Sequence, residues 1–432
     1  MIKSKGLLSA LSDIKIKEKA VFVTTSLTLL FISGWLAQYS SNAFEFVATS
    51  QVTYPFYALM PSLKQTNSQQ QLLEANTLFG LRLFQTLVSE DPNQNVFVSP
   101  PSVAIALSIL MQGANGKTRE EMVSTLGYEE LNVKEIHTTH QILLNSLQQD
   151  NPNLDIALAN ALYARDGISF RHQFLKDNEL YYQSQITNLN FASPQAAGII
   201  NRWTREHTQG KIDQIVPHIN PKDTLIVVNA IYFKGMWKHK FDRQQTKNQP
   251  FYLPNGKTKQ YPLMSGKGKY QYYENEQFQA VNLPYGDERF SLYIFLPKSG
   301  SNLSSLLSQL TFQRWNEWIQ EFNVKQGSLQ IPRFTIEYES NLKQALSTLG
   351  MKSIFSQGDF SNMTSSAVVV NEIKHKTLVE VKEEGIEPPS STSPEVEGKN
   401  TFTMIVNRPF FCAIRDQEKG IVLFMGAIVD PN

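Results

Sequence analysis

Val379–Thr392 reads VEVKEEGIEPPSST, and Asn407–Pro431 reads NRPFFCAIRDQEKGIVLFMGAIVDP. The first stretch opens as a strand, with Val379 and Val381 alternating with Glu380 and Lys382 at period two. It then turns acidic and small, rich in Pro, Ser and Thr, a composition that cannot anchor itself in a core. An apolar run from Thr401 to Val429 comes after it. The chain therefore reads as strand, exposed loop, strand close to its C-terminus. A loop held between rigid strands is suited to docking or cleavage by a protease.

The rest of the chain fits a large globular fold. At 432 residues it can hold two or three average domains or one large one. Hydrophobic content of 41% and 11% aromatics are enough for a sizeable core. With 40 basic and 39 acidic residues the net charge is +1, which gives no electrostatic case for nucleic acid. The single cysteine, Cys412, excludes an internal disulfide. It sits in the apolar run Phe410–Ile414 and reads as a buried, inert thiol. Helical spacing of apolar residues predicts a helix over Leu72–Val88; Ser102–Gln112 reads as a strongly apolar helix entered through Ser99-Pro100-Pro101, and Lys117–Gly127, Lys134–Gln149 and Ser340–Gly350 as further helices. Strands are expected over Thr224–Phe233, Ala280–Leu283, Ser291–Leu296, Ser328–Ile331 and Val368–Ile373. Helices early and strands late argue for an α+β fold.

No catalytic constellation emerges. His137 and His140 lack the spacing and the neighbouring Glu of a zinc helix, so they read as surface histidines. Gly266-Lys267-Gly268-Lys269 lacks phosphate-loop spacing and reads as a turn. The early helices carry no dense Lys/Arg stripe for a polyanion. An enzyme, a metal site and a cofactor are therefore not expected.

The N-terminus is distinctive. Lys3, Lys5, Lys15, Lys17 and Lys19 precede the uncharged apolar run Ala20–Ala37, which is long enough for a marginal membrane span. The flanking charges favour export of the chain beyond Ala37. Residues 1–43 read either as a cleaved signal peptide, with Ser41-Asn42-Ala43 as its site, or as an uncleaved anchor. Phe44–Gln71 reads as a polar tether. The expected location is extracellular or periplasmic, secreted or held by Ala20–Ala37.

The two opening stretches resemble the serpin family. There, a segment close to VNEEGTEAAAAT precedes an exposed reactive-centre loop, and a block close to RPFLFFIRD…ILFMGRVxDP closes the chain. Asn95–Met122 (NVFVSPPSVAIALSILMQGANGKTREEM), Ile200–Val216 (INRWTREHTQGKIDQIV) and Val228–Phe241 (VNAIYFKGMWKHKF) resemble further blocks, in family order. The resemblance runs from about Leu72 to Asn432, and so many ordered blocks make it specific. It is read as a serpin of bacterial type with an N-terminal signal or anchor.

The resemblance implies a monomeric domain over 72–432 with three β-sheets, about nine helices and a reactive-centre loop over about 383–408. It implies an inhibitor of serine proteases. The protease's serine attacks a bait bond and forms an acyl-enzyme. The cut loop then inserts as a new strand of the main sheet and carries the protease away before water releases the ester. A native fold held above its minimum drives this. Counted from Glu383 as in the family, the bait bond is Lys399–Asn400, to within one residue. Lys399 is the only basic residue between Lys382 and Arg408, and its long cationic side chain suits trypsin-like proteases.

The hinge is Glu383, Glu384, Gly385, Ile386, Glu387, Pro388, Pro389 and Thr392. Gly385 and Thr392 match the family, Gly385 supplying backbone freedom. Ile386 replaces a small residue, and Pro388 and Pro389 replace two alanines. Each proline lacks an N–H, so the pair removes one ladder bond on each side of an inserted strand. About 1.4 kcal/mol on the insertion barrier slows insertion tenfold and lets deacylation win. The hinge thus leaves two expectations. One is an inhibitor that leaks into a substrate path; the other is a non-inhibitory serpin that binds, chaperones or is simply cut. The same resemblance places Ser99, Ser102, Asn229 and His375 in a polar cluster beneath the main sheet. It puts Trp237 at the sheet's top, where insertion begins, with Arg333 paired there to Glu383.

Overall fold

α1 (Asn67–Glu90) starts ahead of the expected Leu72, so the end of the polar arm is helical. The computed structural model describes residues 67–387 and 401–431. The signal or anchor segment lies outside the described residues. Among those described, no helix is long and apolar enough to cross a membrane. After β1 (Val96–Val98), Pro100 and Pro101 occupy the first turn of α2 (Pro100–Gly113), where a missing N–H is harmless. α2 is buried on every side except at Gln112. Val103, Leu107 and Leu110 join one hydrophobic core, while Ile105 and Ile109 join a second.

α3 (Gly116–Leu126) and α4 (Val133–Leu147) come next, and a capping box between Asn132 and Glu135 opens α4. They lead into β2 (Leu154–Arg165), α5 (His172–Tyr182), β3 (Gln185–Leu189), α6 (Ala196–His207) and β4 (Leu225–Gly235). The chain then runs through β5 (Trp237–His239), β6 (Lys247–Tyr252), β7 (Thr258–Glu274), β8 (Phe278–Pro284) and β9 (Phe290–Pro297). Beyond these lie α7 (Leu303–Ser308), α8 (Phe312–Gln320), β10 (Asn323–Pro332), β11 (Phe334–Asn341), α9 (Lys343–Thr348) and β12 (Val370–Val381). β13 (Gly385–Glu387), β14 (Thr401–Ile405), β15 (Phe410–Asp416) and β16 (Val422–Ile428) complete it.

Among the described residues there are nine α-helices, and the strands form three sheets, the α+β architecture expected. A five-stranded sheet has the order β11-β12-β4-β2-β3. A nine-stranded sheet runs β1-β16-β15-β9-β8-β7-β10-β14, with β6 on β7. The third is the short pair β13-β5. In the five-stranded sheet, β12 and β4 lie side by side and parallel over ten register pairs, from Val370 opposite Leu225 to Glu380 opposite Lys234. Their outer neighbours β11 and β2 are antiparallel to them. α2 packs against β4 from below.

Three expectations need correction. Gly266–Lys269 is not a turn but the middle of β7, with Gly268 opposite Gly327 and both lysines on the exposed face. A period-two alternation of glycine and lysine suits a strand with one solvated face. Ser340 and Asn341 stay in β11, opposite His375 and Lys374, so the helix there spans only Lys343–Thr348. His137 and His140 are buried, not at the surface. His137 Nδ1 lies 2.8 Å from the Tyr182 hydroxyl and His140 Nε2 3.3 Å from the Tyr128 hydroxyl. Their i,i+3 spacing on α4 points both rings inward, where tyrosine partners replace water. Burial pulls His140 down to about 3.

Candidate functional site

The seam between β12 and β4 is stitched at mid-height by a row of polar side chains. Asn160, Asn229 and His375 are register partners on β2, β4 and β12. His375 Nε2 accepts the backbone N–H of Ser99 at 3.3 Å. A neutral ring must then carry its proton on Nδ1, which donates to Asn229 Oδ1 at 2.6 Å. Asn229 Nδ2 in turn donates to Ser102 Oγ and to Asn160 Oδ1, each at 2.6 Å. The histidine is fully buried, and desolvation pulls it down to about 3, which keeps it neutral and fixes this direction of bonding. Next on β12, Thr377 donates to the Phe97 carbonyl at 2.7 Å. Ser99 occupies the N-cap position of α2, but its hydroxyl caps nothing. Ser99, Ser102, Asn229 and His375 are thus brought together. Asn160 and Thr377 belong with them and were missed. A lone asparagine inside LANALYA was the available signal for Asn160.

Above this row the strand pair is continued by the hinge. Gly385 lies opposite Trp237 and Glu387 opposite His239, so β13 extends the parallel pairing of β12 with β4. Besides the bonds of the ladder itself, it is fastened by Trp237 N–H to the Glu384 carbonyl at 2.9 Å, Phe241 N–H to Glu383 at 3.0 Å and Lys240 N–H to Glu387 at 3.1 Å. The buried Trp237 ring donates to the Lys382 carbonyl at 2.6 Å and stacks on Tyr285 at 4.3 Å. A Cβ at Gly235 would strike the Tyr285 ring at 2.5 Å, so the stack depends on that glycine.

Acidic side chains of the hinge meet basic or hydroxyl partners. Arg333 lies 3.5 Å from the buried Glu383 carboxylate, which also accepts from Thr246 at 2.9 Å. Arg243 pairs with Glu384 at 2.5 Å and His239 with Glu387 at 3.1 Å. Gly385 serves close approach rather than backbone freedom: a Cβ there would sit 2.6 Å from the Lys240 backbone. Ile386 is exposed. Sequence reasoning missed Lys240, Arg243, Thr246 and Tyr285, because nothing local marks a residue as the partner of a distant acidic stretch.

Pro388, Pro389, Thr392, Lys399 and Asn400 lie outside the described residues. Within the range expected for the loop, Thr401–Ile405 forms β14, parallel to β10. Cys412 is buried, and burial pushes its thiol well above the usual range.

A strand pair is thus closed over a polar row, and the acidic segment Glu383–Glu387 continues it at the top. The family model described as "Serpin (serine protease inhibitor)" matches residues 74–431. The chain belongs to the serpin family. Serpin A3-2 of Bos taurus is 33% identical over 372 residues, covering 84% of this chain and 89% of the relative. The leukocyte elastase inhibitor of Homo sapiens is 32% identical over 384 residues, covering 84% of this serpin and all of the relative. A crystal structure of native protease nexin-1 with heparin superposes with a TM-score of 0.76 at 27% identity, over 84% of this serpin and all of that chain. Both sequence relatives are mammalian and lend no support to a bacterial type.

Proposed function

We propose that this serpin is an exported monomer, secreted or tethered, that inhibits trypsin-like serine proteases by offering the Lys399–Asn400 bond and inserting the cut loop into the β12–β4 seam. The observation that supports this best is the seam itself. A chain that leaves the top of β12 and folds back runs antiparallel to β12, and therefore antiparallel to β4 as well. It would exchange one parallel ladder for two antiparallel ones, which are slightly more stable per residue. Glu384 to Lys399 is sixteen residues, enough to run the length of a seam of ten register pairs. A new strand adding roughly ten net backbone bonds at about 0.5–1.5 kcal/mol each contributes on the order of 10 kcal/mol. Inhibition of a protease is what the names of the leukocyte elastase inhibitors state for those relatives.

A second reading is a non-inhibitory serpin or plain substrate, and Pro388 and Pro389 favour it. Both readings are tested by incubating the protein with trypsin and resolving products on denaturing gels with mass spectrometry. The proposal expects an SDS-stable complex cut after Lys399, with more than one inhibitor consumed per protease. Replacing both prolines with alanine should lower that ratio toward one. Cleavage after Lys399 without any complex, in the chain with and without the prolines, would sink the inhibitory reading.

A further inference from the structure

β5 has two sides. One edge carries the hinge; the other borders a cavity of about 510 Å³, closed opposite by the outer face of β7 and the end of β8. Phe241 and Leu283 give it an apolar wall. Lys238, Lys240, Lys267 and Lys269 line it against a single acid, Asp242. That carboxylate is already engaged, accepting from the Gln244 N–H at 2.9 Å and the Gln245 side chain at 3.3 Å. Lys238 pairs with Glu288. Lys240, Lys267 and Lys269 have no acidic partner among the described residues. Lys267 and Lys269 stand two apart on one exposed strand face, so their ammonium groups share a side. In a chain of net charge +1 this is a local concentration of positive field in a walled cleft.

We propose that this cavity binds a small anion carrying two or more phosphate groups, and that its occupancy holds the hinge against β5. Lysine ammonium groups are point-charge donors that suit tetrahedral oxyanions without fork geometry. Several unpaired cations are neutralised by a multiply charged ligand, not by one carboxylate. The coupling runs through Lys240. Lys240 is one of the residues lining the cavity, its N–H bonds the Glu387 carbonyl, and its backbone is the surface on which Gly385 rests. An anion bridging Lys240 to Lys267 and Lys269 ties β5 to β7 and opposes the displacement that would free the hinge. None of this depends on whether the protein inhibits a protease.

The test is calorimetric titration of the full chain with sodium tripolyphosphate and, separately, orthophosphate, at low and high salt. Alongside, hydrogen exchange is followed at the amides of Trp237, Lys240 and Phe241. Tripolyphosphate should bind at least about tenfold tighter than orthophosphate, and more weakly as salt rises. The exposed double substitution Lys267→Gln/Lys269→Gln should weaken binding by about tenfold or more. Bound tripolyphosphate should slow exchange at the three amides in the parent chain and not in the variant. Absent binding, or equal binding in the variant, would overturn the site. Binding that leaves those amides unchanged would overturn the coupling to the hinge.

Discussion

Asn229 bonds both to β12, through His375, and to β2, through Asn160, with Ser102 beneath it on α2. Asn229→Ala therefore strands three groups at once: the His375 Nδ1–H, the Ser102 hydroxyl and the Asn160 carbonyl oxygen. All three residues are buried, Asn160 at 4% exposure and the other two at 0%, so water does not readily replace the lost partner. A buried polar group left unsatisfied costs about 1–3 kcal/mol, so with three such groups the native state should lose on the order of 3–9 kcal/mol. That is a large share of the roughly 5–15 kcal/mol that holds a typical domain together. The assay is urea unfolding, followed by tryptophan fluorescence and far-UV circular dichroism. Asn229→Ala, His375→Ala and the double variant complete a thermodynamic cycle. Because one bond joins the pair, the double variant should be at least about 0.5 kcal/mol more stable than additivity allows. A single-variant effect below about 1 kcal/mol, or strict additivity, would refute the view that this row stitches the seam.

Other predictions rest on neighbouring features. His375 and His140 are both held near 3 by burial, below the ordinary 6.5, so folding excludes protons that the unfolded chain binds. Their contribution to stability is complete above pH about 6.5 and is lost as the pH falls toward 3, at up to roughly 1 kcal/mol per pH unit for each histidine. His140→Gln should flatten a stability–pH profile between those limits, and an unchanged slope would count against buried neutral rings. Gly385→Ala drives a Cβ into the Lys240 backbone. It should forfeit two of the hinge's backbone bonds, about 1–3 kcal/mol together, and speed exchange at the Trp237 and Lys240 amides. Unaltered exchange would contradict the close-approach role. Cys412 should resist thiol reagents until the protein unfolds, and prompt native labelling would show that its burial has been misjudged.

The fold was largely legible because its signals are local or ordered along the chain. The continuous apolar run Ser291–Leu296 and the apolar stretch entered through Pro100-Pro101 found β9 and α2 to within a few residues, because both elements are buried on nearly every side. The polar row was legible only through family resemblance. Without it, Ser99 reads as a helix cap and Asn229 as an anomaly in an apolar strand, because the partners lie more than a hundred positions apart. The hinge clasp was not legible at all. Its bonds join backbone groups of Glu383–Glu387 to Trp237–Phe241, and backbone donors carry no sequence signature.

That clasp changes how the hinge prolines should be understood. β13 ends at Glu387, and Pro388 is the next residue. On the proposed mechanism, release of β13 from β5 comes first, and it is opposed by the β13–β5 ladder, the backbone bonds from Trp237, Lys240 and Phe241, the Arg243–Glu384 and His239–Glu387 pairs and the fit of Gly385 on Lys240. All of those contacts on the hinge side are made by residues up to Glu387. The missing N–H groups of Pro388 and Pro389 matter only afterwards, as the inserting residues seek ladder partners on β12 and β4. Replacing both prolines with alanine should therefore lower the inhibitor-to-protease stoichiometry while leaving amide exchange at Trp237 and Lys240 unchanged in the uncut protein. Gly385→Ala should do the reverse to exchange. If the proline variant instead accelerated exchange at those amides, release and insertion would be a single step, and the separation argued from the clasp would fail.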